Sequence, residues 1–239
     1  MRHKKTPYLK VDVLTLFPKM FNGPLSESMV RLAQRKGLVS ISVHNLREWA
    51  HDNHKTCDDK PFGGGPGMVM KIEPVFEALK KIRKKGKIIM LSPRGKQFNQ
   101  KIAKALSRKK HLIFLCGHYE GVDERVHEHL VDLELSVGDF VTTGGELPVA
   151  CVIDAVVRLV PGVLGNDDSL QSESFQNGLL EYPQYTRPGE FKDWKVPDVL
   201  RSGVHQKIAA WRGEAALHLT RRYRPDLYES HLKHSHHEE

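Results

Sequence analysis

Between Tyr8 and Val160 the chain repeats one pattern: a short apolar run, a break marked by glycine or a polar cluster, then a stretch with helical spacing. Tyr8 to Phe17, Leu38 to Val43, Lys87 to Leu91, His111 to Cys116 and Val131 to Leu135 read as strands. Between them, Met29 to Arg35 reads as the end of an amphipathic helix closed by Gly37. Glu73 to Lys85, Phe98 to Lys109 and Asp123 to Leu130 read as further helices, and Leu147 to Val160 as a strongly apolar one ended by Pro161-Gly162. Strands that alternate with helices specify an α/β fold: a mostly parallel sheet with helices on both faces.

The character changes after Pro161. Gly165 to Gly178 is polar and poor in apolar residues, which predicts a linker. Residues 1–163 are therefore expected as one domain, 164–178 as a linker, and 179–239 as a small, mainly helical domain. In that last part a helix is expected around Gln206 to Trp211, ahead of the basic cluster Arg221-Arg222-Tyr223-Arg224. His231, His234, His236 and His237 read as a polar terminus.

Composition narrows the partners. A net charge of +8 with a pI near 9.3 favours a polyanion, because each phosphate contact releases counterions. The run from Lys80 to Lys87 is read as a solvated helix end. No apolar stretch reaches the roughly eighteen residues of a membrane span, and no signal peptide is expected from the basic Met1 to Lys10. Cys57, Cys116 and Cys151 are few and widely spaced, which fits reduced thiols in a cytoplasmic protein.

In a parallel sheet, ligands bind beyond the carboxyl ends of the strands. Three strand ends here run into turn-rich segments: Leu91 to Gly95, Cys116 to Gly121, and Ser136 to Phe140 continuing through Thr142 to Pro148. Their glycines allow a ligand to approach the main chain, which suits a flat base read by backbone groups. A fourth segment, Phe62 to Gly67, satisfies neither the dinucleotide nor the P-loop pattern, and could press its bare backbone on a ligand or on RNA. The histidine spacings match no zinc signature, and no G-x-S-x-G is present.

Taken in order, several strings resemble the bacterial tRNA (guanine-N1)-methyltransferases, part of the SPOUT class of knotted RNA methyltransferases. They include Leu16-Phe17-Pro18, Asp58 to Met68, Leu91-Ser92-Pro93, Gly121 to Val126, Gly144 to Pro148, Pro161 to Gly165 and Tyr185-Thr186-Arg187-Pro188. The resemblance runs from about Leu9 into the C-terminal domain. It implies a deep trefoil knot in the N-terminal domain and S-adenosylmethionine as methyl donor. It also implies homodimers whose active sites combine the knot of one subunit with the linker and C-terminal domain of the other. The implied product is 1-methylguanosine at position 37 of tRNA that carries guanosines at 36 and 37.

On that resemblance the donor would contact Leu91, Ser92, Pro93, Gly117, Tyr119, Glu120, Ser136, Val137, Gly138, Phe140, Thr142, Gly144, Gly145 and Pro148. Guanine N1 carries a proton, so a base must take it while a cation stabilises charge on O6. Arg158 matches the family's catalytic arginine. The family's base is an aspartate in Asp-Ser-Phe, where this chain has Glu173-Ser174-Phe175. Glu173 is the expected base, with Asp167 and Asp168 as fallback. His118 also departs, since many relatives carry arginine there. Magnesium is raised by the resemblance, although no ligand spacing supports it. Alternatives are a knotted methyltransferase of different specificity and a non-catalytic RNA-binding module.

Overall fold

The computed structural model describes residues 6–164 and 173–235, with side chains to 233. The chain divides into two compact units, Met1–Gly165 and Asn166–Glu239.

The first unit is built on a five-stranded sheet of order β2-β1-β6-β5-β7. Its strands are β1 (Leu9–Thr15), β2 (Val39–Asn45), β5 (Lys87–Gln97), β6 (His111–Leu115) and β7 (Leu133–Ser136), and every pairing is parallel. Two-residue strands β3 (Asp58–Asp59) and β4 (Val69–Met70) form a separate antiparallel pair. Successive side chains leave a strand on opposite faces, so the apolar runs supply two cores. Val11, Ile89, Leu112 and Phe114 face one side, under Val30 and Ala33 of α1 (Ser28–Arg35), Leu106 of α3 (Gln100–Ser107), and Val149 and Ile153 of α5 (Glu146–Val157). Leu14, Ile88, Ile113 and Leu115 face the other, under Val75 and Leu79 of α2 (Ile72–Ile82) and Val126 of α4 (Glu124–His129). Helices thus cover both faces, as the unbroken apolar strands require.

β5 departs from its expected length. It reads as ending at Leu91, yet it resumes after a loop and continues to Gln97. Leu91 and Lys96 both pair with Leu135, so Ser92 to Gly95 bulge out of the ladder between them. The sequence shows the turn residues but not the strand's return.

Among the described residues, one buried carboxylate stands inside the sheet. Asp12 is buried on β1, with Lys10 Nζ at 2.6 Å, His44 Nε2 at 2.7 Å and His111 Nε2 at 2.6 Å. Burial alone would raise its carboxyl, but the hydrogen bonds from His44, Lys10 and His111 outweigh it and hold the group at about 2, below its ordinary 3.8. A depressed folded-state value stabilises the fold above the unfolded value, and that stability disappears as pH falls through the folded one. Asp12→Asn should therefore lose about 2 kcal/mol at neutral pH, at roughly 1.4 kcal/mol per unit. Urea titrations of both proteins should show the gap closing between about pH 4 and pH 2; a gap independent of pH would refute the assignment.

The second unit contains a hairpin, β8 (Glu190–Phe191) with β9 (Trp194–Lys195), and helices α6 (Asp198–Arg201), α7 (His205–Tyr223) and α8 (Pro225–Ser235). The helix expected to stop near Trp211 continues to Tyr223, so Arg221 and Arg222 lie in its last turn. Cations there oppose the negative end of the helix dipole, which accounts for a basic cluster inside a helix end.

Candidate functional site

The three glycine-bearing loops converge at the carboxyl end of the sheet around a cavity of about 390 Å³. Met90 to Arg94 form one wall, Gly117 to Val122 a second, and segments between Leu135 and Pro148 the third. All fourteen residues expected at the donor line this one cavity. A volume of this size suits a small molecule.

The loops hold one another by main-chain bonds. Gly145 N–H donates to the Gly117 carbonyl at 2.8 Å, and His118 bridges to Gly144. Glu120 N–H donates to Met68 O at 3.0 Å and Met70 N–H to Gly121 O at 2.9 Å, which ties the second loop to the end of the Phe62 to Gly67 segment. That segment meets a neighbour in the protein: a Cβ on Gly67 would overlap the Glu120 carboxylate. Tyr119 takes a left-handed backbone, φ 61°, which a tyrosine adopts only under constraint. Its hydroxyl lies 3.5 Å from an Arg47 nitrogen.

Behind the cavity lies a buried chain of side chains that the sequence does not reveal. Thr15 Oγ1 donates to Glu146 Oε1 at 2.7 Å, and Glu146 Oε2 lies 3.6 Å from His118 Nδ1. Those last two atoms are buried with no hydrogen-bond partner among the described residues. Gly144 leaves the room for them, since a Cβ there would overlap both. The only signal in the sequence is Glu146 standing inside the Gly-Gly-Glu-Leu-Pro string. Cys116 sits beside this group, fully buried, and burial followed by the Glu146 charge raises its thiol well above the ordinary range. Burial of this kind disfavours the thiolate form that a nucleophile needs and suits a packed core thiol.

A second unforeseen group braces the first loop. Arg94 Nε and Nη2 contact the two Glu134 oxygens at 3.0 and 3.1 Å, Nη1 contacts Glu124 at 2.9 Å, and His127 Nδ1 reaches Glu134 at 2.9 Å. Burial would raise the Glu134 carboxyl, but the Arg94 and His127 hydrogen bonds lower it on balance. Arg94 is half exposed, so the network fixes the Ser92 to Gly95 bulge more than it stabilises the fold.

The two residues expected to act on guanine are not in this wall. Arg158 caps the far end of α5, about 15 Å along the helix from Pro148 at 1.5 Å per residue. Glu173 belongs to the second unit, half-buried in a tight loop where Phe175 N–H donates to Leu179 O at 2.8 Å and Glu181 N–H to Ser174 Oγ at 2.9 Å. Asp167 and Asp168 lie outside the described residues, as do His236 and His237, and the side chain of His234. Among the described residues no three His, Cys, Asp or Glu side chains gather to hold a metal.

A family model described as tRNA (Guanine-1)-methyltransferase TrmD matches residues 9–230. Curated proteins named tRNA (guanine-N(1)-)-methyltransferase are similar over nearly the whole chain. The one from Dictyoglomus turgidum is 56% identical over 222 residues, 92% of this chain and 90% of the relative. Those from Geobacter sp. (strain M21) and Carboxydothermus hydrogenoformans are each 54% identical, over 92% of this chain and 89% and 87% of their own lengths.

Proposed function

The chain belongs to the tRNA (guanine-1)-methyltransferase family, and from that premise we propose that it transfers a methyl group from S-adenosylmethionine to N1 of guanosine 37 in tRNA. The observation that carries the reading is the single cavity that gathers all fourteen expected donor contacts from three separate loops. The donor supplies an electrophilic methyl group on a sulfonium. Leu91, Leu135 and Pro148 offer apolar walls for its adenine, and Gly117 and Gly138, without side chains, let it approach the main chain. We assign Glu120, whose carboxylate lies against Gly67, as an acceptor for its ribose hydroxyls.

Glu173 takes the N1 proton, which frees the electron pair that forms the N1–methyl bond. As that bond forms, the sulfur–methyl bond breaks and its electrons stay on sulfur, leaving S-adenosylhomocysteine. Arg158 stabilises the negative charge that collects on O6. Magnesium, which the resemblance raises, is assigned no residue here; among the described residues no three His, Cys, Asp or Glu side chains gather to hold it.

A trefoil-knotted donor domain goes with the family reading. We take residues 1–163 as that domain, 164–178 as the linker and 179–239 as the part that engages tRNA. A homodimer is the assembly the family reading implies, and light scattering in solution checks it. The cytoplasm is its compartment on this reading, supported by three cysteines without a disulfide.

Purified protein with labelled donor and unmodified tRNA bearing guanosines at 36 and 37 tests the whole. Label at N1 of the second guanosine is expected. Label on another base would mean a different specificity, and tRNA binding without transfer a non-catalytic module.

A further inference from the structure

The second unit has a cavity of its own, about 540 Å³, between the Tyr182 to Gly189 segment and helices α6 and α7. Three guanidiniums line it: Arg187, Arg201 at the end of α6, and Arg212 on α7. Two other cations of this unit have carboxylate partners, Lys195 with Glu190 and Arg224 with Asp226. Among the described residues, Arg187, Arg201 and Arg212 have no carboxylate partner. Three uncompensated arginines facing one concave surface repel each other, and an anion in the groove relieves that repulsion.

The surroundings say which anion. Arg212 is held over the Tyr182 ring, 4.7 Å from its centre, which fixes the guanidinium's plane while leaving its N–H edge available. Arg201 lies across the bare backbone of Gly189, 3.4 Å from where a Cβ would stand, and Gly189 is pinned by its carbonyl accepting from Val196 N–H at 3.0 Å. Tyr185 stands at the same groove with half its surface exposed, its ring tilted against Trp211 at 6.3 Å. Oriented guanidinium forks match phosphate oxygens bidentately, and an exposed aromatic face beside them takes a base whatever its identity.

We propose that this groove is an RNA subsite in which Arg187, Arg201 and Arg212 hold a backbone phosphate and Tyr185 stacks on an adjacent base. The inference rests on the reading of tRNA as substrate and adds a site remote in sequence from the donor cavity. A polyanion bound this way is recognised by charge and stacking, so the site contributes affinity without sequence preference.

The test uses the full chain and measures tRNA affinity across a salt series. Arg187→Gln/Arg201→Gln should weaken binding at least about tenfold at physiological salt and flatten the salt slope by up to about 0.9, the share of the one phosphate no longer neutralised. Arg201→Lys should keep most of the slope, since it keeps the charge. Tyr185→Ala should weaken binding about tenfold and leave the slope unchanged, because stacking releases no counterions. Donor affinity, measured by calorimetry, should stay at the wild-type value in all of them and reports that the fold is intact. Wild-type tRNA affinity and slope in the double glutamine variant would overturn the subsite while leaving the methyltransferase reading in place. A wild-type protein that neither binds nor methylates tRNA would instead overturn that underlying reading.

Discussion

Glu173→Gln is expected to lower the rate of methyl transfer by about 10²–10⁴-fold, the range a positioned general base contributes, while donor affinity stays within about twofold. Glutamine keeps the size and one hydrogen-bond acceptor of glutamate but cannot hold the N1 proton. Without that transfer the attacking electron pair remains committed to the N–H bond. Glu173→Asp should retain activity within about tenfold, since it restores the family's residue type and the loop from Glu173 to Glu181 can take up one methylene. Asp168→Asn should be close to wild type. Single-turnover rates at saturating donor separate these outcomes. A fully active Glu173→Gln alongside an inactive Asp168→Asn would move the base to the linker aspartates.

The sheet and its two-sided cover were legible because burial on both faces leaves a mark: the first part of β5 and nearly all of β6 are apolar at both parities, which only a strand covered on both sides tolerates. α5 was legible for the same reason, being apolar around its whole circumference. The three glycine-bearing loops were legible as loops from their glycines, and as a set because they follow successive strands. Glu146 and Thr15 were not, because each lies 131 residues from the other and acquires meaning only when the start of α5 meets the end of β1. Arg94 and Glu134 were hidden in the same way: a bidentate pair 40 residues apart has no local spacing. Neither could composition or periodicity place Arg158 or Glu173 beside the substrate. The roles expected of them rest on resemblance; Arg158 ends α5, well along the helix from Pro148, and Glu173 belongs to the second unit.

The constraint least visible in the sequence predicts the largest structural effect. Gly95 stands in the bulge of β5, and a Cβ there would be 2.5 Å from both the backbone nitrogen and the carbonyl carbon of Leu135. Those atoms belong to β7, which is paired to β5 on both sides of the bulge through Leu91 and Lys96, so neither partner can turn aside as a flexible side chain would. Gly95→Ala must push the two strands apart where Leu135, Ser92 and Arg94 also line the cavity proposed for the donor. The expected destabilisation is about 3 kcal/mol, the upper end for forcing extra atoms into a close-packed region. For a chain of this size that lowers Tm by about 6–12 °C. Donor affinity should fall at least about tenfold, because the same displacement opens one wall of the site. Gly23→Ala provides the control: nothing lies within 4 Å of its added carbon, and its effect should remain within about 0.5 kcal/mol. Calorimetric melting and donor titration of both variants decide the matter. A Gly95→Ala protein that melts with wild type and binds donor normally would show that β5 and β7 do not approach this closely, and the bulge would lose its role as the rigid edge of the site.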